Sequence, residues 1–305
     1  MEKRYLINEV ADQFGISTNK LRFYEKKGLI KPKRDTANNY RYYTENDLLK
    51  LQAILLYRLL NIPLSDINNI ISDENSNSML DHFNKQWKAV NDEIHKMSLI
   101  RDSLEEIMDA IYDADGVDLQ EKIHSSIRNM GKIYEIKENW QDRWDFDSWA
   151  IDYDISVEKY KKGDNIYSKY DKLLDTVYNL AVKSIDKNDK ILDIGVGTGN
   201  LSKRFIETGY NNIIGLDQSR EMLNVAKDKF PNLKLRLGEF LKIPFENDVF
   251  DVIVSTYAFH HLNDEEKSVA ILEMLRVLKE NGKVVIGDLM FESVEAKKEI
   301  YKSLS

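Results

Sequence analysis

Cysteine is absent from all 305 residues. Disulfides, thiolate metal ligands and thiol redox chemistry are therefore excluded. Histidine is scarce: His82, His95, His124, His260 and His261 are the whole set, and none of them share zinc-site spacing. No apolar run reaches the ~18 residues that a membrane span needs. No signal peptide precedes Tyr5. These absences point to a soluble, cytoplasmic protein with no metal and no membrane partner.

Net charge is −8, so the molecule as a whole is no general polyanion binder. The charge is uneven, however. Between Ser17 and Tyr43 the bases are Lys20, Arg22, Lys26, Lys27, Lys31, Lys33, Arg34 and Arg41, opposed by Glu25 and Asp35 alone. A basic patch in an acidic chain suggests one specific docking face.

Residues 4 to 71 read as a compact helical domain. Leu6, Val10, Ala11 and Phe14 form one apolar face, Gly15 breaks the helix, and Ser17 is placed to cap the next one, which ends at Gly28. Two short helices across a glycine turn suggest helix-turn-helix. Two base- and tyrosine-rich segments, Leu29 to Arg34 and Tyr40 to Tyr43, then flank a polar turn, Asp35 to Asn39, as in a β-wing. Thr44-Glu-Asn-Asp47 is a capping-box-like start for a helix through Leu60.

The string Leu21-Arg-Phe-Tyr-Glu-Lys-Lys-Gly-Leu29, then Pro32, then Tyr40-Arg-Tyr-Tyr43, is similar to the MerR family of transcription regulators over roughly residues 4 to 112. The resemblance implies a winged helix-turn-helix on double-stranded promoter DNA, with the second helix in the major groove and the wing on phosphates. It puts Thr18, Asn19 and Arg22 on the DNA-facing side, and Tyr24, Arg41 and Tyr42 against the backbone. Phe23 is expected in the core and Tyr24 outside it.

From Leu80 the spacing changes. Leu80, Phe83, Trp87, Val90, Ile94, Met97, Arg101, Leu104, Met108 and Ile111 alternate steps of three and four, a heptad seam. Such a helix reaches ~45–50 Å at 1.5 Å per residue. The seam either takes a partner or packs within its own chain. MerR relatives pair two such helices antiparallel, which implies a homodimer through residues 79–112. Asp113-Ala-Asp-Gly116 closes the helix, and residues 117 to 135 read as an amphipathic connector.

The last part is organised around Ile191-Leu-Asp-Ile-Gly-Val-Gly-Thr-Gly-Asn-Leu201. An apolar strand with one acid runs into three glycines and then an amphipathic helix. The glycines let the backbone turn tightly and let a ligand lie against the main chain. A second strand, Ile213-Ile-Gly-Leu-Asp217, ends in an acid at the spacing where such folds hold a ribose diol. Further strands are read at Leu233 to Leu237, Val249 to Thr256 and Lys283 to Asp288. Helices are read at Glu221 to Phe230 and Asp264 to Leu278, the latter with Gly282 as a left-handed cap. Strands alternating with helices predict a doubly wound, Rossmann-like parallel sheet.

With Asp193 in the first strand and GxGxG spacing after it, the stretch resembles motif I of the class I S-adenosylmethionine (SAM) methyltransferases. The resemblance implies SAM as cofactor. Asp193 would meet the ammonium of the methionine tail, and Gly195, Gly197 and Gly199 would give it backbone. Asp217 would take the ribose hydroxyls, Glu239 the adenine amino group, and Phe240 would flank the ring. Trp149-Ala-Ile-Asp-Tyr-Asp154 resembles the entry segment of small members, which makes Tyr153 a lid residue.

The segment after the fourth strand, Ser255-Thr-Tyr-Ala-Phe-His-His-Leu262, lacks the prolines of base-directed enzymes. That favours a small-molecule methyl acceptor, and with Asn263 to Lys267 it resembles the YrrT-like methyltransferases. His260 is the candidate base; the alternative is that these histidines tie the loop to its neighbours. Relatives continue beyond the fifth strand with a helix and an antiparallel pair. Here Val294 to Leu304 supply a helix and the closing hairpin is missing.

The expected organisation is therefore multidomain: residues 1–75 as the winged helix-turn-helix, 76–136 as coiled-coil helix and connector, and 137–305 as the α/β methyltransferase domain. The alternative function is a regulator whose methyltransferase-like domain senses SAM or S-adenosylhomocysteine without turnover.

Overall fold

The computed structural model describes residues 3–36, 39–71, 79–112, 119–161 and 167–289, together with 293, 295 and 296. The chain divides into two compact units, Met1–Ile94 and His95–Ser305.

The first unit opens with α1 (Ile7–Gln13) and α2 (Thr18–Lys26). The Ser17 hydroxyl accepts from the Lys20 amide at 3.2 Å and caps α2. Gly15 and Gly28 both take positive φ, which ends each helix without the cost a side chain would add there. Strands β1 (Lys33–Arg34) and β2 (Arg41–Tyr42) pair antiparallel with Lys33 opposite Tyr42 and Arg34 opposite Arg41. They form the wing; residues 37 and 38 of its turn lie outside the described set. Helix α3 (Glu45–Leu59) starts in a reciprocal box: the Thr44 hydroxyl accepts from the Asp47 amide, and the Asp47 carboxylate accepts from the Thr44 amide at 2.8 Å. Helix α4 (Leu64–Ile71) follows Pro63.

Two aromatic expectations are reversed in this unit. Tyr24 is 3% exposed and packs with Val10, Leu21, Leu51 and Tyr57, whereas Phe23 is 43% exposed. The helical core takes the face of α2 that carries Leu21, and on a 3.6-residue repeat Tyr24 shares that face and Phe23 does not. Burial accordingly raises the Tyr24 phenol above its ordinary range. Tyr24 is therefore a core residue.

Helix α5 spans Met79–Tyr112, and the division between the units falls at Ile94 and His95 within it. Its buried face is mostly polar: Gln86, His95, Ser103 and Ala110. Gln86 meets Gln52 of α3 at 2.8 Å in the first unit, and in the second unit Ser103 meets Ser126 at 2.9 Å. The apolar stripe lies elsewhere: Phe83, Trp87, Ile94, Met97, Leu104, Met108 and Ile111 are all exposed. The side chain of Leu80 and the closing residues Asp113 to Gly116 fall outside the described set.

The second unit continues with α6 (Leu119–Glu138), α7 (Phe146–Trp149), α8 (Tyr153–Lys161) and α9 (Tyr170–Ala181). The remaining elements alternate: β3 (Ile191–Ile194), α10 (Asn200–Glu207), β4 (Ile213–Asp217), α11 (Arg220–Lys229), β5 (Lys234–Leu237), β6 (Phe250–Thr256), α12 (Asp264–Val277) and β7 (Leu278–Gly287). The five strands form one sheet in the order β5-β4-β3-β6-β7, every pair parallel. Alternate residues of the central strands feed two cores. Ile191, Val252 and Val254 face one core with α9 and α10, and Leu192, Ile194 and Ile253 face the other with α12.

Three differences from the sequence reading have physical reasons. The unit boundary lies within α5, because the following connector does not stand apart: Ile133, Ile136 and Trp140 of α6 and its extension pack into the α12-side core. Helix α12 stops at Val277, and the last strand begins at once with Leu278 opposite Phe250. Gly282 is consequently a strand glycine, where a Cβ would strike the Leu278 side chain, and no left-handed cap. The helix expected over 294–304 lies almost wholly outside the described residues.

Candidate cofactor and acceptor site

The strand order reverses direction between β3 and β6, and open parallel sheets leave a crevice at the carboxyl ends of the strands at such a point. An aromatic-walled cavity opens there. Gly195 and Gly197 line it from the turn after β3, Asp217 and Gln218 from the end of β4, Gly238, Glu239 and Phe240 from beyond β5, and Thr256, Tyr257 and Ala258 from the end of β6. Trp140, Phe146, Trp149, Tyr153 and Tyr167 close it from above.

The glycine turn is built for close approach. Gly195, Gly197 and Gly199 all have positive φ, between 52° and 85°. A Cβ on Gly195 would collide with that of Ala258, and one on Gly199 would meet the Phe230 ring. Gly197 is different: nothing lies within 4 Å of its missing Cβ, so backbone faces open space. Gly199 therefore serves packing, while Gly195 and Gly197 border the cavity.

Two carboxylates stand at the base. Asp217 accepts from the Gly197 amide at 2.8 Å and the Ser219 amide at 2.9 Å. Burial raises it to about 6 against the help of these amides. Asp193 lies behind the wall and does not line the cavity. It accepts from the Ser202 hydroxyl at 2.7 Å, while its Oδ1 is buried with no partner. Burial raises Asp193 to about 7, and the nearby Asp217 charge adds to this.

The covering segment is tied down. Asp154 accepts from Lys229 Nζ at 2.6 Å, the Thr198 hydroxyl at 2.7 Å and Asn200 Nδ2 at 2.9 Å, joining α8 to the glycine turn. Asp147 of α7 accepts from the Ser219 hydroxyl at 2.6 Å, and Trp140 Nε1 donates to Gln218 at 3.2 Å. None of Asp147, Asp154 and Trp140 is singled out by the sequence as a site residue. Each stands far from the motifs in sequence, and only the spacing of the Tyr-Asp pair hinted at Asp154.

The end of β6 carries a further correction. Phe259–His261 form one 3₁₀ turn, which sends consecutive side chains about a third of a turn apart. His260 leaves the cavity: its Nδ1 meets Asp288 Oδ1 at 2.6 Å and its amide donates to the same carboxylate. His261 lines the cavity instead, against Trp144 and Phe146 at centroid distances of 4.8 and 4.9 Å. The ring pair His260 and His261 lies 3.9 Å apart. Burial, reinforced by His260, lowers His261 to about 4, so its ring is neutral at physiological pH. Tyr257, beside it, holds a left-handed φ of 51° and stacks on Tyr167 and Tyr170. A strained non-glycine backbone is a mark of functional sites, and no sequence pattern announces it.

Among the described residues no cluster of ligands suits a metal ion, and no helix is long and apolar enough to cross a membrane.

Residues 191–282 match the family described as "Methyltransferase domain". An uncharacterized methyltransferase of Oceanobacillus iheyensis is 42% identical over 153 residues, which is 50% of this chain and 68% of that protein. The chain belongs to the methyltransferase family. A second uncharacterized methyltransferase, from Alkaliphilus oremlandii, is 42% identical over 157 residues, 51% of this chain and 70% of its own length. A solved putative S-adenosyl-L-methionine-dependent methyltransferase from Methanococcus maripaludis is 23% identical, with a TM-score of 0.40 over 54% of this chain and 74% of that one. Residues 5–74 of this methyltransferase match the MerR helix-turn-helix family of regulatory proteins. One polypeptide thus joins a MerR-type helix-turn-helix to a methyltransferase domain.

Proposed function

We propose that the chain is a SAM-dependent methyltransferase for a small molecule, carried by a dimeric MerR-type head that binds promoter DNA. The observation that carries the cofactor half is the cavity at the strand ends, where open glycine backbone lies beside Asp217, Glu239 and Phe240. The residues fit the cofactor: Gly197 leaves room for a ligand against the main chain, and Asp193, set behind the cavity wall, keeps an orphaned buried oxygen that an ammonium group reaching past the glycine turn would satisfy. Bound there, SAM supplies a methyl group already activated on a sulfonium.

In this reading Asp193 holds the amino-acid tail, with the backbone of the turn through Gly199 beside it. Asp217 accepts the ribose hydroxyls, Glu239 the adenine amino group, and Phe240 flanks the ring. Tyr153 belongs to the lid: it lines the cavity, and burial raises its phenol well above the ordinary range. Excluding water and orienting the acceptor are then the protein's main contributions to rate.

The DNA half rests on α2 and the wing. Asn19, Arg22 and Arg41 are exposed, and Thr18 and Tyr42 are half-buried. Arg22 and Asn19 are assigned to the groove with Thr18, and Arg41 and Tyr42 to phosphates. The exposed apolar stripe of α5 supports a homodimer through that helix, since a stripe of this length is costly to leave in water.

Calorimetry with SAM and S-adenosylhomocysteine, followed by transfer of label from methyl-tritiated SAM into pooled small molecules, tests the proposal. Binding with transfer is expected. Tight binding without transfer would favour the sensor; absence of binding to either nucleoside defeats both.

A further inference from the structure

The cofactor reading leaves one group of cavity-lining residues without a SAM contact. These are Phe146, Trp149, Tyr153, Tyr167, Tyr257 and His261. Among the described lining residues there is no lysine or arginine, and the carboxylates, Asp217 and Glu239, belong to the cofactor side. A carboxylate or phosphate on the acceptor would find no partner there, which is costly for a buried charge. One group stands ready: His261 Nδ1 is buried without a hydrogen-bond partner.

We infer that His261 is the acceptor-facing residue and that the acceptor is a small uncharged thiol; this rests on the cofactor reading above. A thiol buries readily among aromatic rings, where sulfur makes favourable contacts. It is also strongly nucleophilic without a strong base. An amine would have to shed its ammonium proton with no carboxylate on that side to take it. A hydroxyl would need far more activation than a weakly basic imidazole supplies. Burial between Trp144 and Phe146 keeps His261 neutral and therefore able to accept.

The step balances. The thiol sulfur forms a bond to the methyl carbon as the sulfonium S–C bond breaks, and that electron pair stays on the departing thioether. The S–H proton becomes strongly acidic as the new bond forms, and it passes to the His261 ring nitrogen and then to water. A weak base suffices because the proton leaves late.

Benzyl mercaptan, thiophenol, benzylamine and benzyl alcohol are offered to the full chain with SAM, and products are read by mass spectrometry. S-methylation of benzyl mercaptan is expected to exceed methylation of the amine and alcohol by at least about 100-fold. His261→Asn lowers the rate with benzyl mercaptan by about 100-fold, but that with thiophenol, which binds neutral and whose far more acidic S–H needs less help to lose its proton, by less than about 10-fold. A merely structural role would depress both alike. Independently of turnover, benzyl mercaptan is expected to shift the His261 ring resonances in the presence of S-adenosylhomocysteine, and benzylamine to leave them in place. Preference for the amine or alcohol, equal losses with the two thiols, or unmoved ring resonances would overturn the proposal. Missing heat with SAM would instead show that the cofactor reading itself had failed.

Discussion

Lys137 Nζ donates to Glu273 Oε1 across 2.8 Å, with both side chains more than nine-tenths buried. The pair joins α6 to α12, and Glu273 also takes Arg276 at 2.8 Å and the Ile243 amide at 3.2 Å. Burial works against the Glu273 charge, but Lys137 and Arg276 outweigh it and hold the carboxyl below its ordinary range. Removing one partner leaves a buried charge short of compensation. Lys137→Met is expected to destabilise the second unit by roughly 3 kcal/mol, and Lys137→Met with Glu273→Leu to recover part of the loss. Because the folded value is depressed, the contribution is present above the ordinary glutamate range and is lost as pH falls through the folded value. Urea denaturation at several pH values measures both.

Asp193 behaves in the opposite sense. Its folded value of about 7 lies above that of the unfolded chain. The native state then keeps a proton that the unfolded state has released, so stability falls as pH rises from about 4 to about 7 and levels off above that. Asp193→Asn removes this share of the slope. SAM affinity in the unmodified chain is expected to strengthen through the same window, as the carboxylate ionises toward the ammonium, while adenosine affinity stays flat. Denaturation and calorimetry across that window decide; a SAM affinity independent of pH contradicts the assignment of Asp193.

The stripe on α5 gives a prediction about assembly. Met97→Glu with Leu104→Glu places charge on two exposed positions of the seam and leaves the buried residues His95 and Ser103 untouched. The double variant is expected to be monomeric by light scattering at concentrations where the unmodified chain is a dimer, with helix content retained. A monomeric unmodified chain would remove the dimer proposal.

Arg22 and Tyr24 separate DNA contact from folding. Arg22→Ala is expected to weaken binding to promoter fragments and to lower the salt slope by about one, without loss of stability. Tyr24→Ala empties a core position and is expected to cost about 3–5 kcal/mol before any DNA is added. Fluorescence titration at several salt concentrations, paired with thermal melts, distinguishes them.

Much was legible in the order of residues. Ser17 and the Thr44–Asp47 box marked helix starts because capping is local chemistry, decided within four residues. The strands ending at Ile194 and Asp217 were readable because a buried parallel strand is almost continuously apolar, and the edge strand ending at Leu237 because Leu235 and Leu237 alternate with Lys234 and Arg236. The apolar stripe on α5 was readable because periodicity survives without knowledge of what lies opposite it.

Tertiary structure decided what depends on which neighbour arrives. Phe23 and Tyr24 are equally aromatic and adjacent, and only the position of the helical core says which one is buried. His260 and His261 are identical in type, and the 3₁₀ turn together with Asp288 at the end of β7 gives one to a carboxylate and the other to the cavity. The polar contacts of Lys137, Asp147 and Asp154 link positions dozens of residues apart. Local sequence carries no record of such partners, because they are chosen by the packing of whole layers.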